Sequence, residues 1–155
     1  MTQESVILPY GVADYTKISH ERMAYVDKTS YIPVLERTGR YLFFLRPRRF
    51  GKSLSISTMS AYYDLNFKDR FEALFGDTWI GKNPTRERNS YMILRFSFAE
   101  VSSEPETLQR SFETYTETRI LGFLARYPDA FDNEVKSRIA ALPSAADRMA
   151  ALSES

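Results

Sequence analysis

Hydrophobic residues along this chain fall into short continuous runs and into stretches with helical spacing. The continuous run at 41–45 is typical of a β-strand that is buried on both faces, and 91–98 is a second apolar strand candidate. Apolar residues at helical spacing predict a helix over 52–65. Segments 1–24 and 77–90 are irregular in pattern. Further helices are predicted over 28–38, 67–75, 104–127, 133–142 and 145–152.

This order of elements predicts an α/β fold, with a parallel sheet flanked by helices. The sheet would contain the two apolar runs, each followed by a helix. Because two strands cannot cover so much helix, the pattern also indicates that strands of the sheet are missing from this chain.

Local signals refine the predicted helix ends. Asp27 is expected to cap the helix over 28–38. Ser103 and Glu106 have the spacing of a capping box at the start of the long helix. Trp79 and Ile80 are expected to turn inward from their loop.

Composition excludes several classes of function. The chain has 155 residues, 21 Lys and Arg against 20 Asp and Glu, no Cys and one His. These counts exclude disulfide scaffolds, thiolate zinc sites and Cys nucleophiles, and they argue against a polybasic nucleic-acid binder and a Ser-His triad. No apolar run approaches the ~20 residues of a membrane span, and the first residues lack a signal-peptide pattern. We therefore expect a cytoplasmic protein without a membrane partner.

A phosphate-binding pattern follows the first predicted strand. Gly51, Lys52 and Ser53 match the end of the P-loop pattern G-x-x-x-x-G-K-[ST], in a strand–loop–helix context. Glycine permits close approach of the backbone, and the helix start attracts an anion. In this pattern the lysine reaches the β- and γ-phosphates, and the hydroxyl coordinates Mg²⁺.

Arg46 stands where the usual loop has its first glycine, so the loop entry must have another geometry. Three interpretations of the basic loop stay open: neutralisation of a triphosphate, contact with a nucleic-acid backbone, or a solvated charge run that binds nothing. The pattern predicts a phosphorylated ligand with Mg²⁺, and Ser53 is the predicted metal ligand. The candidate binding residues are Arg46, Arg48, Arg49, Phe50, Gly51, Lys52, Ser53 and Leu54.

The segment 45–63, LRPRRFGKSLSISTMSAYY, resembles the hallmark of the AAA-ATPase-like family of bacterial P-loop proteins. Further blocks resemble that family in the same order: LPYG at 8–11, YVDKT at 25–29, LFG at 74–76, WIGKNPT at 79–85 and NSY at 89–91. The resemblance implies a P-loop NTPase-type sheet and an ATP site at the Walker A loop. It also implies that a nuclease-like domain often follows in members of the family.

The sequence departs from the family after the second run, which ends at Ser97 instead of an acidic residue. The acidic Walker B strand of that family has no counterpart between 99 and 155, so no catalytic residue is identified. We therefore expect one family domain, truncated before the Walker B strand, with its N-terminal segment at 1–24, the loop region at 41–65, the second strand and long helix at 91–127 and small helices at 128–155. Such a chain would not hydrolyse ATP alone.

Tyr10 and Tyr15 are open to two interpretations, stacking on adenine or packing.

Overall fold

The structure, a computed structural model, describes residues 6–45, 47 and 49–154. Short 3-10 turns cover Thr29–Tyr31, Leu65–Arg70 and Phe98–Glu100. The α-helices of the described residues are α1 (Tyr15–His20), α2 (Ile32–Thr38), α3 (Lys52–Tyr63), α4 (Phe71–Phe75), α5 (Trp79–Lys82), α6 (Pro105–Arg126), α7 (Asn133–Ala141) and α8 (Ala145–Ser153).

The chain forms two compact units that meet in sequence between Met92 and Ile93. The first unit contains α1 to α5, and the second contains α6 to α8. None of the helices in the described part of the chain combines the length and the hydropathy that a membrane crossing requires.

The predicted parallel sheet is wrong, because the structure is helical and the described residues contain no strand. The run at 41–45 has no regular secondary structure and lies at the surface, with Phe43 94% exposed and Leu45 88% exposed. A strand needs a neighbouring strand for its backbone N–H and C=O groups. The apolar run indicated burial, but no part of the described chain packs over it as a sheet.

The second predicted strand, 91–98, is also wrong. Tyr91 forms an isolated parallel bridge to Asp64, with its N–H donating to the Tyr63 carbonyl at 2.9 Å. The Leu65 N–H donates to the Tyr91 carbonyl at 3.0 Å, and no ladder follows. The run then ends in the 3-10 turn Phe98–Glu100. One bridge holds the chain beside the end of α3 without making a sheet.

The helical predictions agree more closely with the structure. α3, α6, α7 and α8 lie within two residues of their predicted bounds, as helical spacing and flanking prolines indicated. The pattern missed α1, which Asp14 caps by accepting from the Thr16 N–H at 2.9 Å. It also missed α5, which has four residues. Helices this short carry too few turns for a periodic signal.

Three local expectations are corrected by the contacts. Ser103 does not cap α6, since the N-cap residue is Glu104 and no side chain caps it. Ile80 is fully buried as expected, but Trp79 is 43% exposed. Asp27 is not the N-cap residue of the 3-10 turn Thr29–Tyr31 or of α2; its carboxylate accepts from the Thr29 N–H at 2.8 Å and from the Trp79 N–H at 2.7 Å. Asp27 therefore ties its own segment to the start of α5.

The core of the first unit is aromatic and is organised around Phe75, which is fully buried. Tyr15 stacks on Phe75 with ring centroids 4.8 Å apart, and Phe71 stacks at 5.3 Å. Tyr62 meets the same ring edge-on at 5.7 Å. Since Tyr15 belongs to α1, Tyr62 to α3 and Phe71 to α4, one ring joins three helices.

The second unit packs α7 and α8 against the C-terminal half of α6. Its core contains Ile120, Phe123, Tyr127 and Ile139. The Tyr127 hydroxyl accepts from the Ile93 N–H at 2.7 Å. This bond fixes the start of the extended segment against the end of α6.

Two ion pairs brace the second unit. Arg119 donates to both oxygens of Glu100 at 2.7 Å, so this carboxylate is held within the unit. Arg148, which is 8% exposed, pairs with Glu117 at 3.0 Å and links α8 to α6.

The close approach of α5 to α4 predicts a strong effect at Gly81. A Cβ at Gly81 would lie 1.8 Å from the Phe75 carbonyl oxygen, so the backbone would have to move. We expect Gly81→Ala to lower the free energy of unfolding by about 1–3 kcal/mol. Gly122→Ala is the matched control, because open space surrounds that helical position and alanine should stabilise by up to about 1 kcal/mol. Urea denaturation of both variants measures the two effects; equal stabilities would contradict the close approach.

The Asp27 contacts predict a pH dependence of stability. Partial burial raises the pKa of the Asp27 carboxyl, but the Trp79 and Thr29 donors and nearby Lys82 outweigh it and lower the pKa below its usual value. A lowered pKa contributes stability above the unfolded-state pKa of about 4, and this contribution is lost as the pH falls through the folded-state pKa. At this exposed site we expect Asp27→Asn to cost about 1 kcal/mol at pH 7. In urea titrations the difference from the parent should shrink below about pH 4. Asp69→Asn, at another exposed carboxyl, is the matched control.

Candidate functional site

The loop before α3 places its last glycine in a left-handed conformation. Gly51 has φ +76° and is the N-cap residue of α3. Arg49, two residues earlier, also has a positive φ of +67°. Positive φ at Arg49 carries steric strain that glycine avoids. Two left-handed residues close together turn the chain sharply into the helix.

Lys52, the first residue of α3, folds back over this loop. Its ammonium donates to the Pro47 carbonyl at 3.4 Å. The next residue, Ser53, is exposed, and Leu54 packs against the core of the first unit. Leu54 therefore attaches the start of α3 to the core of the first unit, while Lys52 and Ser53 stay at the surface.

A pocket of about 570 Å³ lies at the start of α3. The loop contributes Arg49 and residues 51–54 to its wall. The other wall is the segment 9–13 near the beginning of the chain. The structure thus brings the candidate loop together with a segment about forty residues away in sequence.

The turn at 9–13 is itself well defined. The Val12 N–H donates to the Pro9 carbonyl at 3.3 Å, which closes a turn around Tyr10 and Gly11. Gly11 has φ +72°, at the turn position where type II turns favour glycine. The turn exposes Tyr10 almost completely, at 99%.

Tyr15 attaches this segment to α3. Its N–H donates to the Ser57 hydroxyl at 3.0 Å, and its own hydroxyl donates to the Leu74 carbonyl at 2.8 Å. Tyr15 is 2% exposed, and burial raises the pKa of its hydroxyl well above the usual range. The hydroxyl therefore stays protonated and serves as a donor. Of the two tyrosines considered for adenine, Tyr15 is a core residue and Tyr10 faces the pocket.

Comparison with known proteins agrees with the motif. The AAA-ATPase-like family model, described as "Predicted AAA-ATPase", matches residues 9–151. The chain belongs to the AAA-ATPase-like family. This match runs through the 9–13 turn, the loop and all eight helices described above.

One curated relative is similar to part of this AAA-ATPase-like chain. It is an "Uncharacterized protein in vnfD 5'region" of Azotobacter chroococcum mcd 1, 40% identical over 100 residues. The aligned region covers 59% of this chain and 17% of the relative, so the chain spans a small part of that protein's length. No solved structure gives a significant match to the chain.

The predicted loop residues divide into three groups in the structure. Arg46 and Arg48 lie outside the described residues. Phe50 is 61% exposed and is not among the residues that line the pocket. The remaining candidates all line it: Arg49, Gly51, Lys52, Ser53 and Leu54.

The pocket suits a phosphorylated ligand in size and in donor chemistry. Small-molecule pockets range over about 300–1,000 Å³, and this one lies in the middle. The first backbone amides of an α-helix have no intrahelical carbonyl partner, and the helix dipole is positive there. Arg49 and Lys52 add two positive side chains to the same wall.

The fit for Mg²⁺ depends on the nucleotide. Ser53 supplies a hydroxyl oxygen, which is a hard donor, at the pocket wall. Across residues 6–45, 47 and 49–154 no group of three or more His, Asp or Glu side chains converges as a metal site. Mg²⁺ commonly uses few protein ligands and completes its shell with phosphate oxygens and water. Ser53 therefore fits as one ligand of a nucleotide-bound ion.

Sequence reasoning places the N-terminal segment near the nucleotide only through the adenine interpretation of Tyr10 and Tyr15, and it does not identify 9–13 as a pocket wall. The block LPYG at 8–11 belongs to the family pattern, but periodicity gives it no position. Its place beside α3 results from the Tyr15 contacts, which connect residues 42 and 59 positions apart.

The left-handed conformation of Gly51 predicts a penalty for any side chain there. A Cβ at Gly51 would meet no atom within 4 Å, so the penalty comes from φ alone. We expect Gly51→Ala to lower the free energy of unfolding by about 1–2 kcal/mol. Chemical denaturation beside Gly122→Ala, the alanine control in a regular helix, measures it. Equal or higher stability of Gly51→Ala would show that the loop does not need this conformation.

Proposed function

We propose that this protein binds a Mg²⁺-nucleoside triphosphate, ATP, through its variant P-loop. The observation that carries the proposal is the junction of Gly51, Lys52 and Ser53 with the start of a twelve-residue helix, beside a pocket large enough for a nucleotide. Membership in a family described as "Predicted AAA-ATPase" supports the same ligand.

Each residue of the loop has a distinct role in this proposal. Gly51 lets a phosphate approach the backbone, because no Cβ fills the space in front of it. The Lys52 ammonium leaves the Pro47 carbonyl, a long contact at 3.4 Å, for the more strongly attracting β- and γ-phosphate oxygens. Ser53 holds the Mg²⁺ that accompanies the nucleotide, and Arg49 adds positive charge at the rim of the pocket.

The proposed activity of this chain is binding without turnover. Hydrolysis by P-loop enzymes needs an acidic residue that helps to hold Mg²⁺ and a group that orients water. Glu100, an acidic side chain that follows the second apolar run, is held by Arg119 in the second unit. In the whole protein we propose that further chain completes an ATPase, with a nuclease-like domain as its partner.

Contact with a nucleic-acid backbone is the weaker alternative. It would use the same cations, Arg49 and Lys52, but the chain as a whole has a net charge of only +1. A nucleic-acid site relies on several phosphate contacts and is strongly salt-dependent. A pocket of limited volume at the start of a helix favours binding of a compact anion over binding of a nucleic-acid strand.

Titration calorimetry with Mg-ATP tests the proposal. We expect Lys52→Ala to weaken binding about 10-fold or more, because a hydrogen bond to a charged group contributes about 1.5–3 kcal/mol. Lys68→Ala, at an exposed lysine on the 3-10 turn Leu65–Arg70, is the matched control and should bind like the parent.

A thermal scan provides an independent measurement. Nucleotide at about 100 times its dissociation constant should stabilise the fold by about 2.7 kcal/mol. Absence of any shift with saturating Mg-ATP would mean that the loop binds no nucleotide. Equal affinity of the parent and Lys52→Ala would remove Lys52 from the site.

A further inference from the structure

The wall of the pocket formed by 9–13 carries an exposed tyrosine. Tyr10 is 99% exposed although it lies in a closed turn that is anchored to the core. Its neighbours in the pocket are the charged and small residues Arg49, Gly51, Lys52 and Ser53. The site therefore has two chemically different ends, with an aromatic residue at one side and phosphate-binding groups at the other.

The position of Tyr10 relative to the loop is fixed by the fold. Gly11 forms the turn, and Asp14 caps α1 directly after it. The Tyr15 N–H then donates to Ser57 in α3, the helix whose first residues form the P-loop. The backbone of residue 10 is therefore already placed beside the loop before a ligand binds, which lowers the ordering cost of binding.

We propose that Tyr10 stacks on the base of the nucleoside triphosphate whose phosphates contact residues 51–53. This inference rests on the function proposed above and adds the nucleoside end of the ligand. Every nucleobase has a π-face, so a stacking tyrosine strengthens binding with little preference among bases. Tyr10 is therefore a binding residue for the base, while the loop binds the phosphates.

The pocket favours binding of a single nucleotide over binding of a single-stranded nucleic acid. Proteins that bind single strands stack successive bases on several aromatic side chains along a basic groove. Among the residues that line this pocket in the described part of the chain, Tyr10 is the one aromatic side chain. One ring beside a phosphate-binding loop matches one base linked to one triphosphate.

A comparison of two ligands distinguishes the contribution of the base to binding from that of the phosphates. The ligands are Mg-ATP and Mg-tripolyphosphate, which lacks base and ribose. Titration calorimetry of the full chain with each ligand should show that Tyr10→Ala weakens Mg-ATP binding about 5- to 10-fold and leaves tripolyphosphate binding unchanged. Tyr10→Phe should keep the affinity of the parent, because it keeps the ring. Lys52→Ala should weaken both ligands.

Tyr31→Ala is the matched control, since Tyr31 is also exposed, at 64%, and lies outside the pocket lining. It should bind both ligands like the parent. Circular dichroism and thermal unfolding of every variant establish that the fold is kept before affinities are compared.

Each other outcome contradicts the inference in a distinct way. If Tyr10→Ala binds Mg-ATP like the parent while Lys52→Ala is weakened, the stacking role fails and the nucleotide-binding function stands. If Tyr10→Ala weakens both ligands equally, Tyr10 acts through the loop and not on the base. If the parent binds neither ligand, both proposals fail together. If the parent binds a thymidine oligonucleotide and not Mg-ATP, and Tyr10→Ala loses that binding, the site belongs to a nucleic-acid strand.

Discussion

The first unit depends on the burial of one tyrosine. Tyr15 stacks on Phe75, donates its N–H to Ser57 in α3 and donates its hydroxyl to the Leu74 carbonyl at the end of α4. Ser57 belongs to α3, and Phe75 and Leu74 both belong to α4, so one side chain determines where α1, α3 and α4 meet. Its polar groups are satisfied inside an aromatic core, where an unpaired donor would cost about 1–3 kcal/mol.

The candidate site follows from that constraint. The turn at 9–13 precedes Tyr15 by a few residues, and the P-loop precedes Ser57 by a few residues. Joining Tyr15 to Ser57 therefore brings the turn and the loop to the same place, and the pocket is the space between them. One hydrogen bond in the core therefore brings two stretches that are distant in sequence together at the surface.

The second unit also relies on tyrosine hydroxyls, here as hydrogen-bond acceptors. The Tyr127 hydroxyl accepts from the Ile93 N–H, and the Tyr115 hydroxyl accepts from the Ser97 N–H. Both bonds hold the apolar segment beside α6, in place of the backbone partners that a sheet would provide. Its residues 93 and 97 are thus positioned by side-chain hydroxyls and not by a strand ladder.

The sequence by itself determined the loop motif, the family and the longer helices. Gly51, Lys52 and Ser53 are recognisable by spacing, and helices such as α3 and α6 carry several turns of periodic signal. The tertiary structure alone decided two matters: that 41–45 lies exposed, and that of the two candidate tyrosines Tyr15 is a core residue while Tyr10 lines the pocket. The physical reason is that the hydrophobicity of a segment indicates only its tendency to be buried. Strand pairing and pocket walls depend instead on which distant residues pack against the segment.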